Sequence, residues 1–288
     1  MSFVTLREQI PGGVVVLGLD LKTWLGFAFV GALVSTIGSI LGIVIKEYFF
    51  SRSFELWKQD RALEQIYQKY RDPLRLSARE LGHRLVEICD TYPTVFLSQR
   101  VFDSRPLRQE RNSDQDPYYQ RYKFVSTLYR LCAFLGWLEL YRQELTFYQA
   151  SGNRHTAKVD ESLSAIRSAF ADGHINTASD WDSWRDTLVF REELRAIGES
   201  MIESRGSNRS VIGYGCFVDL INSDNLSSTK SWSLVVLNFL LNLEDGGKDF
   251  RKIRLQRILC HVVDFIGLID KRGLDERLKG ARKKWSAA

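Results

Sequence analysis

The run from Thr23 to Ile45 holds no Asp, Glu, Lys or Arg and is closed at its two ends by Lys22 and Lys46. No other feature limits so strongly what the chain can fold into. About twenty apolar residues at 1.5 Å rise cross the ~30 Å hydrocarbon core of a bilayer, so the run is long enough to span one. A secretory signal has a shorter apolar region behind a basic start. Here a stretch carrying Arg7, Glu8, Asp20 and Lys22 comes first, and the run reads as a retained anchor.

Lys and Arg resist transfer across the membrane, so their distribution sets the orientation. Arg7 and Lys22 precede the run; Lys46, Arg52, Lys58, Arg61, Lys69, Arg71, Arg75 and Arg79 follow it. The expectation is a single-pass protein of the inner (cytoplasmic) membrane with its C-terminal part in the cytoplasm. Residues 1–22 form a short extracytoplasmic N-terminus and residues 23–46 the transmembrane helix. Trp24 at one edge and Tyr48, Phe49 and Phe50 at the other stand where interfacial aromatics belong. Within the run Gly31, Ser35, Gly38 and Gly42 recur at spacings of 4, 3 and 4. Small residues on one side let two helices approach closely in lipid, so this face is expected to pair copies into a homo-oligomer. A pore built from the same helix would be lined only by Ser35, Thr36 and Ser39.

The remaining sequence has the balance of a globular domain: 44% hydrophobic, 26% charged and a mean hydropathy of −0.20 over the whole chain. That excludes a polytopic membrane protein. The net charge of +5 resembles a nucleic-acid signal until it is located. Lys271 to Trp285 carries seven Lys or Arg against Asp275 and Glu276, so this segment alone accounts for the surplus. A basic tail over residues 273–288, with Arg277, Lys279, Arg282, Lys283 and Lys284 available to anionic lipid, is the expected use; nucleic acid is not an expected partner.

Helical periodicity continues past the apolar run. "KEYFFSRSFELWKQDRALEQIYQKY" contains neither Pro nor Gly and reads as a juxtamembrane stalk over residues 47–71. "YRDPL" is expected to end it, with Asp72 as cap and Pro73 opening a new helix striped by Leu74, Ala78, Leu81, Leu85 and Ile88. Asp103 to Pro117 reads as a polar surface loop. Tyr119 to Gln149 is apolar nearly all round, the mark of a central helix. Amphipathic segments follow at 157–171, 182–203, 210–222, 231–244 and 248–270, separated by turn signals that include "SRGSN" and "EDGG". With no period-2 pattern of useful length, the fold class is all-α: a cytoplasmic helical bundle over residues 72–272.

No sequence pattern commits the chain to a reaction. It lacks a P-loop, H-E-x-x-H and G-x-S-x-G, and "GYGCFV" from Gly213 lacks the third glycine of a dinucleotide fingerprint. Cys89, Cys132, Cys216 and Cys260 stand too far apart for paired metal ligation and read as reduced core cysteines. His83, His155, His174 and His261 are isolated, the first and last in helices and the other two in loop contexts. Asp180, Asp182 and Asp186 beside Trp181 and Trp184 make no metal motif. No catalytic, cofactor-binding or metal-ligating residue is expected. Arg191, Arg195 and Glu199 share a face at i, i+4 and i+8, as either a buried ion-pair rack or an exposed salt-bridged face.

The segments "KYRDPLRLSARELGHRLVEI", "STLYRLCAFLGWLELYRQELTFY", "FREELRAIGESMI" and "IGYGCFVDLI", in this order behind one N-terminal span, resemble a group of bacterial proteins of uncharacterised activity. The likeness extends over most of residues 70–270, and Glu192 and Glu193 stand where the group's pattern has Gly and Gln. The resemblance implies a bacterial setting and carries no activity, cofactor or site residue. Two functions fit these readings. One is a membrane-anchored module that self-associates and binds a cytoplasmic protein or small ligand without catalysis. The other is an oligomeric membrane effector, a regulated pore of the kind a defence system uses, gated through the cytoplasmic bundle.

Overall fold

The computed structural model describes residues 21–91, 94–104, 117–145, 154–171, 187–206, 208–243, 249–270 and 274–285. Of these 86% are helical. The chain divides into two compact units, Met1–Lys58 and Gln59–Ala288.

In the first unit, helix α1 runs Leu21–Val44 and passes into a π-helical segment, Ile45–Ser51, and then into the start of helix α2, Arg52–Val86. Every described side chain from Trp24 to Tyr48 is exposed. In water that would leave sixteen apolar side chains unburied, at a high cost in free energy. By length and composition α1 can cross a membrane. Thr36 Oγ1 donates to Ala32 O at 2.8 Å and Ser39 Oγ to Ser35 O at 2.9 Å. Both hydroxyls are thereby satisfied within the helix. Phe54 stacks on Trp57 with ring centroids 5.9 Å apart, and Lys58 Nζ lies 4.5 Å above the Phe54 ring.

The second unit is built around one contiguous apolar core. Its elements are the rest of α2, a π turn Glu87–Thr91, a 3-10 turn Thr94–Leu97, α3 Gln99–Asp103, α4 Pro117–Leu145, α5 Arg154–Ala171 and α6 Arg191–Ser200. Strands β1 Ile202–Arg205 and β2 Asn208–Val211 follow, then α7 Tyr214–Asn222, α8 Ser228–Leu240, α9 Phe250–Ile269 and α10 Glu276–Trp285. Helix α4 is the centre: Phe124, Leu128, Leu131, Phe134, Leu135, Leu138 and Tyr141 are all buried on it, and it meets α3, α6, α7, α8 and β2. Helix α9 lies against α5 and α10.

Three expectations are corrected. Helix α2 does not end at "YRDPL" but carries Pro73 in its interior. The missing hydrogen bond and ring clash cost ~3 kcal/mol, yet Leu63, Tyr67, Tyr70, Leu74, Ala78, Leu81 and Leu85 form one buried stripe on both sides of the proline. Burying that stripe, at about 1.5–3 kcal/mol per large side chain, outweighs the break. The same stripe starts the core at Leu63, ahead of the boundary expected at residue 72.

The second correction is a two-stranded antiparallel hairpin where helices were expected to end at 203 and begin at 210. Ile202 pairs with Val211 and Arg205 with Asn208. Gly206 supplies the turn with φ of +64°, a left-handed conformation that glycine adopts at no steric cost. The third concerns the C-terminus. Residues 276–285 form helix α10, with Leu278 and Ala281 buried against the core. Asp275 Oδ1 accepts from the Leu278 amide at 2.9 Å and caps it.

Candidate functional site

The small-residue face lies wholly in α1. A Cβ placed on Gly31, Gly38 or Gly42 meets nothing within 4 Å, and Ser35 is exposed beside them. The π segment adds a feature that the spacing alone did not reveal. One π turn inserts one residue into the α-helical count, so a face that passes through Gly38 and Gly42 resumes at Phe54 and Trp57 instead of Ser53 and Leu56. The stacked aromatic pair therefore continues the small-residue side of the helix.

The face of Arg191, Arg195 and Glu199 is exposed, not buried, because Leu194, Ile197 and Gly198 occupy the core side of α6. Arg191 Nη2 donates to Ser168 Oγ at 3.0 Å and ties the first turn of α6 to α5. At the other end of α6, Gly198 lies directly on α4: a Cβ there would stand 2.7 Å from Leu135 O and 2.8 Å from Glu139 Cβ. Around this crossing the charged groups concentrate. Glu139, 1% exposed, accepts from Arg142 Nε at 2.7 Å, from Arg142 Nη2 at 2.5 Å and from Gln143 Nε2 at 2.8 Å. Arg209 of β2 donates in turn to Gln143 Oε1. The hydrogen bond to Glu139 raises the Arg142 pKa.

Two buried arginines were missed in the sequence. Arg254, 1% exposed, donates from Nη1 to Ala169 O at 2.9 Å and Phe170 O at 3.2 Å, and from Nε to Thr187 Oγ1 at 3.3 Å. It closes the carbonyl end of α5, where unpaired backbone acceptors and the helix dipole favour a cation. Arg84, 4% exposed, donates from Nη2 to Ser126 Oγ at 3.2 Å, and its Nη1 lies 3.0 Å from Glu87 Oε2. Burial pulls its pKa down while Glu87 acts against the shift. Both arginines join elements of the core, which is a structural use.

The basic C-terminal residues are largely engaged. Lys279 pairs with Glu276 at 2.7 Å, Arg282 holds Asp264 at 2.8 and 3.0 Å, and Lys284 meets Asp90 and lies 4.9 Å over the Trp285 ring. Arg277 and Lys283 are exposed. His83 Nε2 stands 3.0 Å from Asp275 Oδ2 and adds to the attachment of α10. Lys279, Arg282 and Lys284, all expected to face lipid, thus have protein partners, and α10 is docked on the core and not a free tail.

Cys89, Cys132 and Cys260 are buried as expected, but Cys216 is exposed on α7. Burial pushes the Cys89 thiol up to about 12. His261 is half-buried, and desolvation lowers its pKa. His155 falls within α5 instead of a loop. His174, the acids Asp180, Asp182 and Asp186 with Trp181 and Trp184, and most of the 103–117 loop lie outside the described residues. Among the described residues no group of three or more His, Cys, Asp or Glu is placed to hold a metal ion.

No protein-family model, curated protein or solved structure matches the chain. The likeness to the bacterial group therefore rests on the sequence segments alone.

Proposed function

We propose that the chain is a single-pass protein of the bacterial inner membrane that self-associates through α1 and presents a cytoplasmic helical bundle to a protein or small-ligand partner, without catalysing a reaction. One observation carries the reading: α1 exposes its apolar side chains over its described length while its hydroxyls at Thr36 and Ser39 close on its own backbone. Such a helix is stable in lipid and costly in water. Gly31, Ser35, Gly38 and Gly42 form the pairing side, and Phe54 with Trp57 extend it. Arg277, exposed on α10, remains a candidate for contact with anionic lipid. The mass of the detergent-solubilised particle tests the pairing. Wild type is expected to be a multimer and the Gly38→Leu, Gly42→Leu double variant a monomer; a monomeric wild type contradicts self-association.

A second reading, the ligand-gated oligomeric pore, is favoured by the continuity of the helical backbone from Trp24 to Asp90. Ion flux from liposomes holding the full chain separates it from a passive anchor, which conducts under no stimulus.

A further inference from the structure

Leu274, Leu278, Ala281 and Trp285 recur at spacings of 4, 3 and 4, which lays one apolar stripe along α10 and the residues leading into it. The groove that receives the stripe is cut by two glycines. A Cβ on Gly82 of α2 would stand 3.2 Å from Leu278 Cδ2, and one on Gly267 of α9 would stand 2.9 Å from Leu274 Cδ1. A side chain at either position would push against the stripe. Within α10 the contact buries Leu278 and Ala281. It covers the groove without filling it: a cavity of about 400 Å³ remains between α9 and α10, lined by Val263, Gly267 and Leu274 and edged by Arg282 and Lys283.

The rest of the attachment is electrostatic. From Glu276 to Trp285, Arg277, Lys279, Arg282, Lys283 and Lys284 stand against the single acid Glu276. The bundle meets this helix with acids: Asp264 of α9 accepts from Arg282 at 2.8 and 3.0 Å, and Asp90 of the π turn accepts from Lys284. Just ahead of α10, Asp275 lies 3.0 Å from His83 Nε2 and 3.9 Å from Arg79 Nη2, both on α2. The side chains of the Arg282 and Lys284 pairs remain open to water. Ion pairs of that kind are weak, are screened by salt and yield their cations to competing anions. A bilayer surface of anionic phospholipid is such a competitor: it attracts Lys and Arg, and it also takes up the apolar side of an amphipathic helix.

We infer that α10 is a releasable strap whose partner, once released, is a bilayer surface of anionic phospholipid. Docked, it has Arg282 and Lys284 held by Asp264 and Asp90 and its stripe held by the groove at Gly82 and Gly267. On anionic lipid, headgroup phosphates take the place of the two aspartates and the acyl region takes the place of the groove. The two seatings exclude each other because they use the same stripe and the same cations. Release uncovers the surface of α9 beneath, including Cys260, whose thiol Arg282 contacts in the docked state. The release needs a bilayer within reach of the chain, and so rests on the membrane reading of α1.

The native cysteines report the release. The full chain is placed in discs of phosphatidylcholine, alone or with phosphatidylglycerol, and treated with iodoacetamide, an uncharged reagent; mass spectrometry quantifies the labelled peptides. In neutral discs buried Cys260 should react much more slowly than exposed Cys216. Phosphatidylglycerol should raise the Cys260 rate about tenfold or more relative to Cys216, with Cys132 still unlabelled, because local opening and not global unfolding admits the reagent. Asp90→Asn combined with Asp264→Asn should lower the share of phosphatidylglycerol needed, since the competing acids are gone. Arg282→Gln combined with Lys284→Gln should speed Cys260 in neutral discs and blunt the response to lipid. A Cys260 rate that phosphatidylglycerol leaves unchanged, labelling of Cys132 in step with Cys260, or an aspartate variant that follows lipid as wild type does overturns the strap. A chain that does not enter the discs overturns the membrane reading instead; phosphatidylglycerol vesicles added to the soluble chain then test the strap by the same labelling.

Discussion

Replacing Gly198 by alanine should destabilise the protein, although the same change in an open helix stabilises it. Alanine gains about 1 kcal/mol over glycine in helix propensity. Against this, the added Cβ would stand 2.7 Å from Leu135 O, where ordinary contact begins at 3.4 Å, and 2.8 Å from Glu139 Cβ. The obstacle is the backbone of α4 and not the tip of a flexible side chain, so the two helices must part by about 0.7 Å. A gap of that size forfeits a quarter to a half of the dispersion energy at each contact it opens, and overpacking of this kind costs about 1–3 kcal/mol. With the propensity gain set against it, the net loss is about 0–2 kcal/mol, up to roughly 8 °C in the midpoint of a domain of this size, where an open helix site would gain. Thermal unfolding of the full chain in detergent, followed by tryptophan fluorescence, measures it. Gly280→Ala in α10 is the control, since its Cβ meets nothing within 4 Å and should raise the midpoint. If Gly198→Ala behaves like Gly280→Ala, the close crossing of α4 and α6 is refuted.

Two further outcomes follow from burial. Iodoacetamide at mild alkaline pH should label Cys216 alone in the native protein, with Cys89, Cys132 and Cys260 reacting only after unfolding; mass spectrometry of the labelled peptides checks it, and early labelling of Cys132 would contradict the core. Glu139→Leu removes the acceptor of three hydrogen bonds, two of them from a guanidinium that can partly reach water, and should cost about 2 kcal/mol. The same thermal assay should show a fall of roughly 5 °C, and an unchanged midpoint would mean the cluster contributes nothing.

Much of the fold was legible because burial follows period. The apolar circumference of α4 and the stripes of α2 and α9 can be counted along the sequence and are buried as the count requires. Pro73 was misread because local chemistry favours a helix start there, while the cost of keeping the helix is outweighed by contacts made far away in sequence. The hairpin at 202–211 was missed because four-residue strands give almost no alternation to read. Arg84 and Arg254 did carry a signal: each occupies a stripe position, Arg84 between Leu81 and Ile88 and Arg254 between Phe250 and Ile258. A charge on an apolar stripe marks a buried ion whose partner lies on another element.

Everything proposed about location depends on α1 residing in lipid, and alkaline carbonate extraction of cell membranes tests this most directly. The full chain should stay in the membrane pellet at high pH and leave it only with detergent. Recovery in the supernatant, before or after the carbonate wash, would contradict the account.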